Sequence, residues 1–258
     1  MFPLKDNLPT DRTPVVTIAL IVLNVIAYLV LQPKTGIDVG GGSLNTEDLV
    51  SYGAIPYEFT HPGQHCQVAG DAIACGTGGP AAGQLPLAAT VFTSMFSHAG
   101  LLHLGGNMLF LWVFGNNVED SMGRVKFLAF YLLGGAAALL GQIIVGPNAA
   151  VPTLGASGAV ACVLGGYLLL YPRARVVTLV FIVLFFTILE LPAIFFLGFW
   201  FLQQIAFGAL NLTNPTGQGG GVAYFAHIGG FAFGLAAVKL FADRRKAVAA
   251  RGPKYPVY

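Results

Sequence analysis

At 258 residues the chain is long enough for one or two domains, yet only 9% of it is charged and 55% is hydrophobic, with a mean hydropathy of +0.73. An average soluble domain carries about 25% charged residues, so disorder, a coiled coil and an ordinary water-soluble enzyme are excluded, and a polytopic membrane protein is the reading that remains. The net charge of +2 is too small to point to a nucleic-acid partner.

A helix needs about 20 mainly apolar residues to cross a bilayer. The first such run is 14–31, with Pro14 at a first helical position after Thr13. Leu31-Gln32-Pro33-Lys34 offers no small-x-small cleavage site, so this run reads as an anchor that stays. A long loop, 32–97, follows. It carries Asp38, Glu47, Asp48, Glu58 and Asp71, and two of the three cysteines, Cys66 and Cys75. Two readings are open for these cysteines: a disulfide pinning a short loop, or a zinc site with His61 and His65. The segment 76–86, rich in Gly, Ala and Pro, reads as a linker.

Four further crossings are expected at 101–118, 125–145, 155–171 and 222–241. Between the last two lies an apolar stretch, 176–210, interrupted by Glu190-Leu191-Pro192. Its back half, 192–210, is long enough to span. Its front half, 176–189, has fourteen residues rich in Val, Ile, Phe and Thr, and is expected to be interfacial or re-entrant. With six crossings every Lys and Arg except Lys34 falls on one side, which the positive-inside rule assigns to the cytoplasm. The expected architecture is therefore all-α, a six-helix bundle with both termini cytoplasmic. It divides into 1–31 (N-terminus and first helix), 32–97 (extracytoplasmic loop), 98–241 (core of five further helices) and 242–258 (basic tail). A bacterial inner membrane fits these features.

Polar side chains inside a bilayer are costly and ask for a partner or a function. His103 and Asn107, four residues apart, share one face of the second crossing, with His98 at its mouth. Ser157 opens the fourth and His227 begins the last. At about 1.5 Å per residue, His103 and His227 both lie roughly 8 Å inside the outer mouth, and Ser157 lies near the same level. Asn24, Gln142, Gln203 and Gln204 read as helix–helix hydrogen-bonding residues. Ser157, Ala161 and Gly165 form a stripe of small residues, as do Ala226, Gly230 and Gly234 beside His227. Pressing those stripes together would bring Ser157 within reach of His227, the minimum for nucleophilic acyl chemistry. No Asp or Glu lies deep in a crossing, so a two-residue dyad is implied. The start of a helix also offers free N–H groups to an oxyanion. His103-Leu-Gly-Gly-Asn107 has neither the Glu nor the second His of a zinc protease, and Cys162 reads as a small buried residue.

Taken together, residues 85–241 resemble the rhomboid family of intramembrane serine proteases. His98-Ala-Gly-Leu-Leu-His103-Leu-Gly-Gly-Asn107 resembles the family's second-helix motif, and Glu119 with Gly123-Arg124 the stretch that follows it. Gly155-Ala-Ser157-Gly158 resembles the nucleophile motif, and Ala226-His227-Ile-Gly-Gly230-Phe-Ala-Phe-Gly234 the base motif. The resemblance implies Ser157 as nucleophile and His227 as general base. His103 and Asn107 would serve the oxyanion, and Gly158, Gly230 and Gly234 close packing. It implies cleavage of single-pass membrane-protein substrates in or beside their transmembrane segments, no metal or organic cofactor, and a gating role for the loop that includes 217–221. Ser94 stands where some members carry a further histidine, and Ala161 where some place an aromatic against the base. A catalytically silent rhomboid-like protein that binds membrane clients is the alternative, and it would be expected to lack the nucleophile or the base. A transporter would show inverted repeats, and none is visible.

Overall fold

The computed structural model describes residues 1–31, 46–70, 72–76, 79–81, 83–182, 185–213 and 222–243. A short strand, β1 (Phe2–Asp6), precedes α1 (Val15–Ile26), which continues as a π turn over Ala27–Leu31. Pro14 supplies no side-chain cap. Glu119, distant in sequence, does that work: its carboxylate accepts from the N–H groups of Val16 (3.0 Å) and Thr17 (2.7 Å) and from the Thr17 hydroxyl (2.8 Å). Unpaired N–H groups at a helix start, together with the helix dipole, favour an anion there.

From Thr46 onward, the described part of the expected loop is structured rather than a plain loop. Helices α2 (Thr46–Tyr52) and α3 (Pro56–Thr60) and the hairpin β2 (Cys66–Ala69) with β3 (Ala72–Cys75) enclose a small core of Val50, Ile55 and Cys66. Cys66 and Cys75 are disulfide-bonded, so neither is a thiolate available to zinc. Buried Glu58 accepts from the Cys66 N–H at 2.8 Å and from the Gln84 amide at 2.8 and 2.9 Å. This unit grips the chain that leads to Ser157. The Thr60 hydroxyl donates to the Pro147 carbonyl (2.6 Å), the Tyr57 N–H to that of Ala149 (3.1 Å), and Ala54 pairs with Thr153 in both directions.

Helix α4 (Leu87–Thr93) and a 3-10 turn (Ser94–Phe96) meet α5 (Leu101–Phe110) at 84°. A π turn (Leu111–Gly115) joins α5 to α6 (Asn116–Met122), and Gly123, at φ +78°, turns the chain into α7 (Arg124–Val145). Then come α8 (Ser157–Leu170), β4 (Arg175–Ile182), β5 (Phe185–Pro192), α9 (Ala193–Thr213) and α10 (Tyr224–Phe241). Helix α8 is apolar on every side and buried almost throughout, as the central helix of a bundle must be. Among the described residues α7, α9 and α10 are long and apolar enough to cross a membrane, and the bent pair ending at Met122 makes up to four. The outer faces carry an exposed apolar belt that includes Val125, Leu133, Ile144, Leu202 and Leu240. Water would not tolerate so wide a belt, but acyl chains match it.

The described residues of 176–189 are extended rather than helical. They belong to an antiparallel hairpin, Arg175 opposite Pro192 and Ile182 opposite Phe185, with β1 on its free edge in the order β1-β4-β5. The β-branched and aromatic composition that makes this run a poor helix is what suits it to a sheet. The tail beyond 243 and the glycine run 217–221 lie outside the described residues.

Asp6 ends β1 inside the protein. Tyr167 on α8 donates its hydroxyl to Asp6 Oδ2 at 2.6 Å and Asn117 its amide at 2.7 Å. Burial nevertheless prevails and raises the carboxyl to about 6 from an ordinary value of 3.8. The folded protein therefore holds this proton more tightly than the unfolded chain does. Its stabilising effect is full below about pH 4 and is lost as pH rises through about 6, a change of up to about 3 kcal/mol. Melting curves of wild type and Asp6→Asn in detergent should diverge across this window, the wild type losing stability relative to the variant as pH rises. Parallel curves would place the titration elsewhere.

Candidate active site

Ser157 is the first residue of α8 and His227 lies in the first turn of α10. Both helices start at the same level and run alongside each other, and the serine hydroxyl lies 2.7 Å from His227 Nε2. The approach depends on missing side chains. A Cβ on Gly230 would collide with the Gly158 carbonyl, one on Gly234 with the Cys162 carbonyl, and one on Gly165 with the Phe231 carbonyl. The contact row on α8 is thus Gly158, Cys162 and Gly165: Gly165 is in the expected stripe, while Gly158 and Cys162 lie one residue on from the expected Ser157 and Ala161. That offset leaves Ser157 beside the interface, free to face a cavity.

The cavity, of about 740 Å³, is lined by Ser157 and His227 together with His103 and Asn107 from α5. Gly155, at φ +103°, brings the chain so close that a Cβ there would come within 2.6 Å of the His103 ring. Only glycine fits that conformation and that space. Among the described residues the Asn107 amide nitrogen is a buried donor without an acceptor. Such a group is costly to leave unpaired unless something else occupies its direction. The N–H groups of the first turn of α8 add donors nearby.

Other polar residues hold this frame. Buried His98 accepts from the Ala156 N–H at 3.4 Å, and its ring meets that of His103 edge-on at 5.1 Å. The Ser94 carbonyl accepts from the Gly155 N–H at 2.8 Å, so the residue at the histidine-bearing position serves through its backbone. Gln142 accepts from the Ala226 N–H at 3.2 Å at the start of α10, a helix-to-helix bond as expected. Asn24 donates to the Leu20 carbonyl of its own helix instead. Cys162 is buried, with its thiol 3.6 Å from the Phe130 carbonyl.

One residue of the site escapes a reading of the sequence, and another does more than that reading gave it. Trp200 on α9 lines the cavity and lays its ring 5.9 Å from that of His227, so an aromatic does pack against the histidine, from a helix other than the one carrying Ala161. Gln204, one turn further along α9, places Oε1 2.8 Å from His227 Nδ1. Trp200 belongs to no local motif, whereas Gln204, expected to hydrogen-bond between helices, does so, and its partner is the histidine itself.

The rhomboid domain pattern matches residues 88–244, more than half of the chain. Rhomboid protein 1, mitochondrial, of Saccharomyces cerevisiae is 33% identical over 157 residues, which cover 57% of this chain and 40% of the yeast protein. The human presenilin-associated rhomboid-like protein, mitochondrial, is 30% identical over 156 residues, 58% of this chain and 37% of its own. Rhomboid protease GluP of Bacillus subtilis is 29% identical over 155 residues, 60% and 24% respectively. The chain thus matches well under half the length of each of these relatives. The matched stretch contains the whole cavity, and with it the chain belongs to the rhomboid family of integral membrane proteins.

Proposed function

We propose that this chain is a serine endopeptidase that cleaves membrane-protein substrates in or beside their transmembrane segments, using Ser157 and His227. The observation that carries the reading is the 2.7 Å contact from Ser157 Oγ to His227 Nε2, open to a cavity that holds the unpaired Asn107 donor. Ser157 Oγ attacks the peptide carbonyl carbon, its proton passes to His227 Nε2, and the carbonyl electrons move onto oxygen. That oxyanion takes hydrogen bonds from Asn107, His103 and the first-turn N–H groups of α8. Collapse breaks the C–N bond as His227 returns the proton to the leaving amine. Water, deprotonated by the same nitrogen, then releases the acid and restores the serine.

The topology that accompanies this reading has six crossings, with the termini on the basic side. It adds α1, the bent segment around α5 and the short α8 to the three longest helices. The disulfide-bonded unit at 46–86 then lies on the far side. The substrates are single-pass proteins of the same bilayer. The named relatives divide between mitochondrial proteins and a Bacillus subtilis protein, which removes any preference for a bacterial inner membrane.

The test is fluorophosphonate labelling of detergent-purified protein, because such a probe reports a serine activated by a base. Wild type should label, and Ser157→Ala and His227→Ala should not. A folded wild type that stays unlabelled beside a labelled active rhomboid would move the chain to a client-binding role. Asn107→Ala should keep the label but lower kcat/KM for a fluorogenic transmembrane peptide about tenfold to a hundredfold, as for loss of one oxyanion donor. An unchanged rate would make Asn107 a packing residue.

A further inference from the structure

The histidine is held from a third helix. One ring nitrogen, Nε2, meets Ser157 at 2.7 Å, and the other, Nδ1, lies 2.8 Å from Gln204 Oε1 on α9. Gln204 is 8% exposed, and its amide nitrogen turns to the Trp200 carbonyl at 3.4 Å, which leaves the amide oxygen as the atom that meets the ring. An amide oxygen can only accept, so the ring hydrogen must sit on Nδ1. Nε2 then presents its lone pair to the serine hydroxyl, as a general base requires.

Trp200, four residues earlier and so on the same face of α9, packs its ring at 5.9 Å and 36° to the imidazole. It is backed by Phe231, at 6.0 Å, which in turn stacks on Phe201 at 4.3 Å. The imidazole is thus fixed by a hydrogen bond at one nitrogen and by a ring beside it. An amide achieves this without a second charge, which would be expensive to bury in a crossing helix.

We infer that Gln204 is a positioning residue for His227, selecting its tautomer and completing a Ser157–His227–Gln204 chain drawn from three helices. The inference rests on the serine-protease reading above. Gln204 does not touch substrate; it acts through the ring it orients. Without it the imidazole is free to adopt the other tautomer or to rotate away from Ser157, and every productive encounter must wait for its return.

The experiment compares full-length wild type, Gln204→Met and Gln204→Glu with a fluorogenic transmembrane peptide, beside Ser157→Ala as the inactive control. Met keeps the length and apolar bulk but accepts no comparable hydrogen bond. It should lower kcat about tenfold to a hundredfold with KM within about twofold of wild type. Glu restores the acceptor. It should recover most of the lost kcat, and the acidic limb of its pH–rate profile should move to higher pH, because a carboxylate favours the imidazolium. A merely structural glutamine would instead lower the melting temperature in both variants, with activity falling in parallel and the pH profile unmoved, and that result overturns the inference. Wild-type kcat in Gln204→Met also overturns it, while an inactive Ser157→Ala in the same assay keeps the protease reading standing. A wild type that neither cleaves nor takes the fluorophosphonate label overturns both.

Discussion

Ser157→Ala is expected to remove turnover of a transmembrane peptide by at least about a thousandfold while leaving the melting temperature within about 3 °C of wild type. The two halves of this outcome come from different features of one residue. Chemically, among the described residues the hydroxyl is the only group hydrogen-bonded to His227 Nε2, and none of them stands in for it as nucleophile. Structurally, the hydroxyl faces a cavity and is only half-buried, and the tight helix contact is made by Gly158 next to it. Alanine keeps the Cβ and the helix start, and His227 can turn to water in the cavity. Activity and melting curves of the purified variant check both halves. Turnover near wild type would remove Ser157 from the chemistry, and a collapsed melting curve would make it a packing serine.

Gly234→Val should do the opposite and destroy the fold. A single Cβ at this position would strike the Cys162 carbonyl, with the Cys162 carbonyl carbon at 2.8 Å and Cα at 3.0 Å. These are backbone atoms of the central helix, which cannot rotate away as a flexible side chain can. Helices α8 and α10 would have to separate, and the Gly230–Gly158 and Gly165–Phe231 contacts would open with them. The cost exceeds the 1–3 kcal/mol of ordinary overpacking, and about 5 kcal/mol or more is expected. The measurement is the yield of monodisperse protein and its melting temperature in detergent. Gly198→Ala on α9 is the control, since nothing lies within 4 Å of a Cβ placed there. A Gly234→Val protein that melts like wild type would mean that the two helices tolerate a wider spacing.

What the sequence makes legible is what its local patterns determine. The hydrophobic runs end within a few residues of the observed helices, as at 14 for Val15, 125 for Arg124 and 241 for Phe241. Ser157 and His227 stand out because a helix start and a lone histidine are rare polar events in apolar surroundings, and they do meet. The β-sheet was hidden because β1 and β4 are joined by nothing local: Asp6 lies opposite Val176, and only the folded chain shows why five residues at the front are extended. Gln204 was visible as a helix–helix residue, but its partner was hidden for the opposite reason. A glutamine in a crossing helix has an ordinary use as glue between helices, and only the distance to His227 Nδ1 distinguishes this one. The unit at 46–86 was half-visible: its cysteine pair was a candidate bridge, but its grip on 147–153 depends on backbone pairing that carries no residue signature.

The strand at Phe2–Asp6 also sets a timetable. Its partner strand, Arg175–Ile182, is made about 170 residues later, on the order of ten to thirty seconds at ordinary rates of translation. Throughout that interval Asp6 is a water-exposed carboxylate at the front of a chain whose later helices are still being threaded into the bilayer. Residues 2–6 therefore leave the ribosome long before the strand they pair with and settle late. Their docking beneath Tyr167 and Asn117 closes the bundle at the end of α8 far from Ser157. A fusion or binding partner that detains residues 1–6 during synthesis would leave the molecule inserted but unlatched.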